Sequence, residues 1–446
     1  MAKITVDFSR KNGKIKPMHA TGHPPFLGTN FSFFKYMKNA NIPYGRLHDL
    51  GAYGKKYVDI SSIFPNFDAD PSIPESYRFD YTDGFLSAMH ENGIAPIFRL
   101  GETIENGIRA GYKAIFVDPP KDYEKWAKVC EMIIRHYNEG WADGYRFGIK
   151  YWEIWNEPEN GIHDGSLKER NQMWTGTAED YYRLYTVTAK HLKSCFGDSI
   201  MIGGYGASGL YSMLEEPEKY GLSSLDQQET NAVDRYRLNF FLGFVEYIEK
   251  ENAPLDFFSF HCYRWFDYQK HFAFQAKRIL AEHGYGDAEL HLNEWNNSFK
   301  KEKKGSSYSS AKAAEFMIMM HDSPVDIMNY YDTRIGTSSY SGMFNPLSYE
   351  PFCIYYTFAA YGELYAMGDK VISESDTEKI RAIAASDGIN KGVLITNTTG
   401  VDVEIETNIF ADLKVYIIDE KNHMSKKYLD PKCFVLKKDQ VAFIKN

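Results

Sequence analysis

The chain's 446 residues, 43% hydrophobic and 25% charged, are those of a globular protein with room for a large core or more than one domain. A net charge of −9, with no basic block longer than KKEKK at 300–304, argues against nucleic-acid binding through phosphate neutralisation. A membrane-spanning helix needs roughly 18 consecutive apolar residues, and no window reaches that length.

In chain order, ITVDFSRKNGKI near the N-terminus reads as a strand or hairpin, because Asn12-Gly13 is a turn signal. The same segment lacks the apolar core of a signal peptide, so a cytoplasmic location is expected. Five scattered cysteines (Cys130, Cys195, Cys262, Cys353, Cys433) fit a reducing compartment better than a disulfide framework or a zinc cluster. Short apolar runs then alternate with segments of helical period. Strands are expected at Phe26–Thr29, Tyr44–Leu47, Ala95–Leu100, Tyr151–Trp155, Ile200–Gly203, Phe257–His261, Glu289–Asn293 and Ile327–Tyr331. Helical patterns cover Phe31–Asn39, Phe85–Asn92, Tyr123–Tyr137, Ala178–Phe196, Arg235–Glu251, Tyr268–His283, Ala311–His321 and Pro351–Met367. Eight strands, each followed by a helix or long loop, is the count of a (β/α)8 TIM barrel, expected over residues 17–367. Past Gly368 the segments become short and β-branched (Ile380–Ala385, Lys391–Thr396, Val401–Thr407, Leu413–Ile418, Phe434–Ile444). They predict an accessory antiparallel β-sandwich built from residues 1–16 plus 368–446.

The stretch YWEIWNEPEN (Tyr151–Asn160) sets Glu153 and Glu157 in an otherwise apolar run. A carboxylate there is costly unless it is paired, hydrogen-bonded or used. Barrel chemistry sits at the C-terminal strand ends. Glu157 lies just past the expected fourth strand and Glu294 just past the seventh, in ELHLNEWNNSF; each follows an Asn (Asn156, Asn293) and has a Trp close by (Trp155, Trp295). Strands four and seven lie across the barrel mouth, so the two carboxyl groups can face each other over a substrate. Glycosidic-bond cleavage needs that pairing: one protonated carboxyl gives its proton to the leaving oxygen, and the other attacks the sugar carbon or activates water. Alone, a strand-end Glu is more often a salt-bridge partner. The repeated Asn-Glu grouping turns the balance towards chemistry. Strand alternation puts Glu153, Trp155 and Glu157 on one face, with Glu153 deeper as a structural partner of an interior Arg or Lys. The 16% aromatic content suits either an aromatic core or platforms for sugar rings, and composition leaves both open.

W-N-E-P followed much later by N-E-W-N resembles the clan A glycoside hydrolases, retaining enzymes on a (β/α)8 barrel. Within that clan the resemblance is to family 39, the β-xylosidase and α-L-iduronidase family. It is carried by YGRLHD (Tyr44–Asp49), YRFDYTDGFLSAMHENGIAPIFRLG (Tyr77–Gly101), YYRLYTVTAKHLK (Tyr181–Lys193), PLDFFSFHCY (Pro254–Tyr263) and LNEWNNSF (Leu292–Phe299). The ordered set spans roughly residues 20–365, and an accompanying β-sandwich is also a family feature. The resemblance implies Glu157 as general acid/base and Glu294 as the nucleophile of a double displacement, with Asn156 on the sugar's 2-hydroxyl. His48, His261 and Tyr263 match positions that line the sugar subsite, and Trp295, Tyr331 and Asp332 are further expected substrate contacts. Arg46 is expected to support Glu294 by an ion pair that keeps it ionised. Two departures fall where sugar identity is read: Asn293 where the family often has Thr, and Tyr330-Tyr331-Asp332 where many relatives present a Trp.

Arg264 and Arg334 could pair with a uronate carboxylate, although a structural arginine is the commoner case. His19 and His23 have a ligand-like spacing but no third partner, so no metal is expected, and no cofactor either. The expected function is a retaining, exo-acting β-xylosidase-like hydrolase of short oligosaccharides. Its partners are an oligosaccharide or glycoside substrate, without nucleic acid or membrane, and homo-oligomer formation is left open. Alternatives are another sugar specificity in the same family (β-galactosidase, β-glucosidase, α-L-arabinosidase or uronidase) and, from a different class, a non-catalytic carbohydrate-binding protein. An aldolase or isomerase would need a Schiff-base Lys or a metal triad at the strand ends, and the sequence offers neither.

Overall fold

The computed structural model describes residues 1–28, 30–52, 55–103, 117–160, 173–210, 232–264, 266–296, 301–335, 340, 342–410 and 412–446. The chain divides into two compact units, Met1–Tyr44 with Trp295–Asn446, and Gly45–Glu294.

Strand β1 (Ala2–Lys14) runs unbroken through Asn12-Gly13. Gly13 takes a φ of 86° and the register against the neighbouring strand shifts around it, so the turn signal produces an irregularity within one strand. There follow β2 (Ala20–Thr21), β3 (Tyr44–Leu47), a small hairpin of β4 (Gly51–Ala52) and β5 (Lys55–Lys56), β6 (Ala95–Leu100) and β7 (Tyr151–Ile154). The series continues with β8 (Met201–Ala207), β9 (Phe257–Cys262), β10 (Glu289–Trp295) and β11 (Val325–Tyr330). Eight parallel strands close into a barrel in the order β10-β11-β2-β3-β6-β7-β8-β9.

The expected strands from Tyr44 onwards coincide with β3 and β6 to β11. The first does not. Pro24 and Pro25 precede the run at Phe26 and have no N–H to give a ladder, and that run holds only an isolated Leu27–Asn30 bridge. Ala20 and Thr21 supply the strand instead, paired with Asn329 and Tyr330 of β11. Thr29, the end of the expected strand, lies outside the described residues, as do Asn297–Lys300 of the two C-terminal motifs.

Helices fill the intervals at Phe34–Asn39, Asp80–Glu91, Tyr123–Asn138, Ala178–Phe196, Ala232–Lys250, Gln269–Glu282, Ser307–His321 and Cys353–Met367, with a single turn at Ile60–Ile63. Several start where the sequence writes a cap. The Asp122 carboxylate accepts from the Lys125 N–H, Ser306 does the same for Ser309, and Thr177 and Asp180 form a reciprocal capping box. Strands β8 and β9 approach so closely that a Cβ on Gly203 would lie 2.2 Å from the Phe257 carbonyl oxygen, which excludes any larger residue there.

The C-terminal strands are β12 (Asp369–Ser375), β13 (Ile380–Ser386), β14 (Lys391–Asn397), β15 (Val403–Thr407), β16 (Lys414–Asp419), β17 (Asn422–Lys427), β18 (Cys433–Leu436) and β19 (Val441–Lys445). With β1 they form a nine-stranded sheet in the order β17-β16-β19-β14-β13-β12-β1-β15-β18, antiparallel except for the β1–β15 pair. The sheet curls over one core: Val415 and Ile417 near one end and Phe434 and Leu436 at the other share a buried cluster with Ile4, Val393 and Ile395. The expected run Phe434–Ile444 divides into β18 and β19 at the polar Lys437–Gln440 turn. All five cysteines are free. Among the described residues no helix is long and apolar enough to cross a membrane.

Candidate active site

The ends of β3, β7, β9 and β10 bring together most of the residues singled out in the sequence, all within the unit Gly45–Glu294. Charged and polar side chains on these strands point into the barrel because alternation sends their apolar neighbours outward to the helices. Arg46, on β3, is fully buried and divides its guanidinium three ways. Nε donates to Glu153 Oε2, Nη1 to Glu294 Oε1 and Nη2 to Asn156 Oδ1, each at 2.7 Å. Glu153 is therefore paired as a structural carboxylate, and its other oxygen accepts from Ser259 Oγ at 2.6 Å and from Asn293 Nδ2.

Glu157 and Glu294 are both largely buried, 8% and 6% exposed. Glu157 Oε1 lies 2.7 Å from His261 Nδ1, and Oε2 accepts from Asn160 Nδ2 at 2.7 Å. Glu294 Oε2 accepts from the Tyr263 hydroxyl at 2.6 Å and lies 3.5 Å from His261 Nδ1. One oxygen of each carboxyl and one imidazole nitrogen thus lie within 4.8 Å of one another. These are also donor atoms of a kind that metals use. The Arg46, Tyr263 and Asn160 bonds already match the two carboxylates, so the set is complete without a cation. A second trio, Glu131, His191 and Cys195, lies on neighbouring helices, but Lys128 and Arg135 already pair with Glu131.

Burial alone raises both carboxyl pKa values, and the neighbours decide the outcome. In Glu157 the hydrogen bond and charge of His261 outweigh burial, with help from Arg237 and Asn160, and hold it below the ordinary value. Glu294 stays above its ordinary value, lifted by burial and by Glu157 against the pull of His261, Arg46 and Tyr263. Burial lowers His261, but Glu294 and Glu157 together raise it above the usual histidine range.

His48 lies beside this network. Its Nδ1 faces Arg99 Nε at 3.2 Å, and burial drives its pKa well down, so it is neutral and carries its proton on Nε2. Arg99 in turn holds Asp59 at 2.6 Å, and Asp59 accepts from the Thr103 N–H at 3.0 Å.

The two tryptophans are not sugar platforms here. Trp155 takes a φ of 72° and Glu157 one of 47°, which ends the alternation expected through this stretch. The Trp155 ring turns outward against Trp126 and Trp174, with its N–H on the Met173 carbonyl at 2.8 Å. Trp295 is fully buried against Phe316, Tyr330 and Phe358 in its own unit, which leaves it no face for a ligand and corrects the expectation of a substrate contact. In that same unit Tyr331 lies edge-on to His23 and Tyr340, and its hydroxyl accepts from Arg334 at 2.9 Å. Asp332 is fully buried and bonded to Arg334 Nε at 2.9 Å, so Arg334 is already matched by a carboxylate. Arg264 is likewise tied to Asp234. His19 Nε2 donates to the Asn41 carbonyl at 2.9 Å among Tyr361 and Tyr365, the setting of a core histidine.

Sequence reasoning passed over Arg99, Asp59, Asn160 and Glu159. The signal for Arg99 was a charged residue inside the apolar run APIFRL, the same kind that drew attention to Glu153, its register partner on β7. Glu159 is buried with one oxygen on the Ser208 N–H and hydroxyl, and burial together with the Glu157 charge raises its pKa to about 7.

Comparison with known proteins adds to this geometry. A model of glycosyl hydrolases family 39 matches residues 3–308. The chain is 26% identical over 217 residues, 45% of its length, to a beta-xylosidase of Caldicellulosiruptor saccharolyticus. It is 25% identical over 215 residues, 46% of its length, to a beta-xylosidase of Geobacillus stearothermophilus. The matched segments span 40% and 34% of those two proteins. Among solved structures, a glucosidase from Croceicoccus marinus superposes with a TM-score of 0.75 at 20% identity, covering 100% of this chain and 98% of that one. A monomeric beta-xylosidase from Caulobacter crescentus gives 0.69 at 15% identity, covering 100% and 99%.

Proposed function

We propose that the chain, which belongs to glycosyl hydrolases family 39, is a retaining, exo-acting glycoside hydrolase of the β-xylosidase type that works on short oligosaccharides. The observation that carries this reading is the approach of one Glu157 oxygen to one Glu294 oxygen, within 4.8 Å, at the ends of two barrel strands. Carboxyl groups about 5 Å apart leave no space for a water between carboxylate and sugar, whereas roughly 6.5–9.5 Å favours inversion.

In the first step a Glu294 oxygen bonds to the anomeric carbon as the glycosidic C–O bond breaks, and Glu157 gives its proton to the departing oxygen. In the second, Glu157 takes a proton from water, whose oxygen displaces Glu294 and restores the starting configuration. His261 Nδ1, 2.7 Å from Glu157 Oε1, is placed to exchange a proton with the acid as a leaving oxygen arrives. Arg46 and Tyr263 each donate to one Glu294 oxygen and stabilise its anion in a buried site. Asn156, its Oδ1 held by Arg46, is left with Nδ2 for the 2-hydroxyl of the sugar, while the Nε2–H of His48, 3.4 Å from Asp49 Oδ1, can be shared with another hydroxyl. Tyr331 and Asp332 are retained as proposed contacts on the family resemblance alone. Residues 17–367 are taken as the catalytic barrel and 1–16 plus 368–446 as the accessory domain, because β1 belongs to the C-terminal sheet.

Glu294→Ala should abolish turnover of 4-nitrophenyl glycosides, and azide should restore product formation with inverted configuration. Unimpaired hydrolysis by that variant would remove Glu294 from its role. A panel of such glycosides identifies the sugar; binding without turnover across the whole panel would favour the non-catalytic reading.

A further inference from the structure

The helix Ala232–Lys250, which follows β8 in the chain, carries two charged side chains, Asp234 and Arg237, that the reaction above does not use. Asp234 is 2% exposed, and each of its oxygens takes one arginine: Arg237 Nη1 at 3.3 Å and Arg264 Nη2. Arg237 Nη2 donates to Asn160 Oδ1 at 2.7 Å, and Asn160 Nδ2 donates in turn to Glu157 Oε2, also at 2.7 Å. Arg264 directly follows Tyr263, whose hydroxyl holds Glu294. One buried carboxylate on a helix thus stands behind a partner of each of the two facing carboxyl groups.

We propose that Arg237 is a positioning residue for the acid: anchored by Asp234 and acting through Asn160, it commits Glu157 Oε2 to accepting and leaves Oε1, which faces His261, to exchange the proton. The proposal rests on the glycosidase reading of Glu157 and Glu294. Its first support is the one-way chemistry of the chain of bonds. A guanidinium has donors only, whereas an asparagine side chain can turn either its oxygen or its nitrogen to a neighbour. With Arg237 on the oxygen, Asn160 must present its nitrogen to Glu157. The Asn160 N–H also bonds the Glu157 carbonyl at 2.9 Å, so the single turn Pro158–Asn160 is closed on Glu157 by main chain and side chain alike. Glu157 has a positive φ, a conformation that lasts only where surrounding bonds fix it.

The plainer reading of Asp234 and Arg237 is a helical i,i+3 pair, which stabilises a helix by only about 0.2–0.5 kcal/mol. Two observations go beyond it. The shorter of these Arg237 bonds leaves the helix for Asn160, 77 residues away in sequence at the end of β7. Asp234 is buried and shared with a second arginine, so Arg237 is held from behind while it reaches forward. Charge adds a further support. Glu157 is faced by His261 from β9, Glu294 from β10, Glu159 from its own segment and Arg237 from this helix. Burial raises the Glu157 pKa, and His261, then Arg237, then Asn160 pull it down. Of these groups Arg237 alone keeps its charge at every pH of interest.

The test follows Arg237→Gln and Arg237→Lys on two glycosides of the sugar that the 4-nitrophenyl panel identifies, one methyl and one 2,4-dinitrophenyl. The methyl glycoside needs a proton at its departing oxygen and the dinitrophenyl glycoside does not. In Arg237→Gln, kcat/KM for the methyl glycoside should fall about tenfold, the loss of one hydrogen bond, with the dinitrophenyl glycoside within about twofold of wild type. The basic limb of the kcat/KM profile should move to higher pH, because removing a fixed cation raises the pKa of the proton that the site must hold. Arg237→Lys keeps the charge and should bring the limb back. Equal losses on both glycosides with an unmoved limb are what a merely structural arginine would give, and they would overturn the proposal, as would wild-type rates in Arg237→Gln. Should Arg237→Gln not fold, Asp234→Asn, which loosens the anchor, is judged by the same ratio of methyl to dinitrophenyl rates. A wild-type protein inert on the entire panel removes the glycosidase reading and this proposal together; an active enzyme whose variants lose equally on both glycosides removes the proposal alone.

Discussion

Arg46→Met is the sharpest perturbation the site permits, because one side chain serves three of its members. Methionine keeps much of the volume and removes all three donors. Three hydrogen bonds to charged or polar groups, at about 1.5–3 kcal/mol each, would sum to roughly 5–9 kcal/mol. That sum is too high, since neither carboxylate is left bare. Glu153 keeps Ser259 and Asn293 on Oε1, and Glu294 keeps Tyr263 on Oε2. The expected cost is that of breaking one buried ion pair, about 3–5 kcal/mol. Its pH dependence has a definite sign. Without the guanidinium, which pulls the Glu294 pKa down, the folded-state pKa of Glu294 rises further, so the penalty is greatest where Glu294 is ionised and is relieved as pH falls and it takes up a proton. Denaturant unfolding of wild type and variant at several pH values measures this, and kcat/KM profiles should show the acid limb displaced to higher pH. A loss below about 1 kcal/mol, or one that is flat with pH, would refute the assignment of Arg46 as the counter-ion of Glu153 and Glu294.

Three further outcomes are expected. Glu157→Ala should slow hydrolysis of glycosides with poor leaving groups about 10²–10⁴-fold while sparing 2,4-dinitrophenyl glycosides, which depart without a proton; equal losses on both would count against Glu157 as the acid. Tyr263→Phe removes the donor on Glu294 Oε2, so kcat should fall about tenfold to a hundredfold and the acid limb should rise; an unmoved limb would mean the hydroxyl does not stabilise the carboxylate. Glu159, raised from 4.5 to about 7, favours the folded state in its protonated form, and that stability is present below the unfolded value and lost as pH rises through about 7. Relative to Glu159→Gln, the wild type should therefore lose about 3 kcal/mol between about pH 4 and about pH 8 in denaturant unfolding, and a constant difference would show that Glu159 is ionised throughout.

Where the chain obeys a simple period, its architecture was legible. Tyr44–Leu47 and Ala95–Leu100 have the expected bounds to the residue; Pro43 stands just before the first and Gly101 just after the second. Ala20–Thr21 escaped because two residues carry no period at all, and their strand exists only through β11. Strands β12 (DKVISES) and β17 (NHMSKK) escaped for a related reason: much of each is polar, and a neighbour in the sheet supplies the order.

The site shows how far the same period reaches before it fails. Glu153, Ser259, His261, Asn293 and Arg46 lie on strands, and most of what they do follows from which way a strand residue must point. Adjacent residues on β10 face opposite ways, so once Glu294 faces the barrel interior Trp295 must face the helices. The alternation rule itself stood against a sugar contact at Trp295, and the family resemblance masked it. At β7 the rule gives the wrong answer for a different reason. The positive φ values at Trp155 and Glu157 rotate the chain off the strand, sending Trp155 outward while Asn156 and Glu157 stay with Arg46 and His261. Such a conformation costs a non-glycine residue free energy of order 1–3 kcal/mol, and it persists because the surroundings fix it. Here the fixing bonds are visible: the Glu157 N–H on the Tyr205 and Gly206 carbonyls, and Glu159 on Ser208, all at the end of β8. The carboxyl that a glycosidase would use as its acid is thus aimed by the neighbouring strand as much as by its own, and that is information no single stretch of sequence contains.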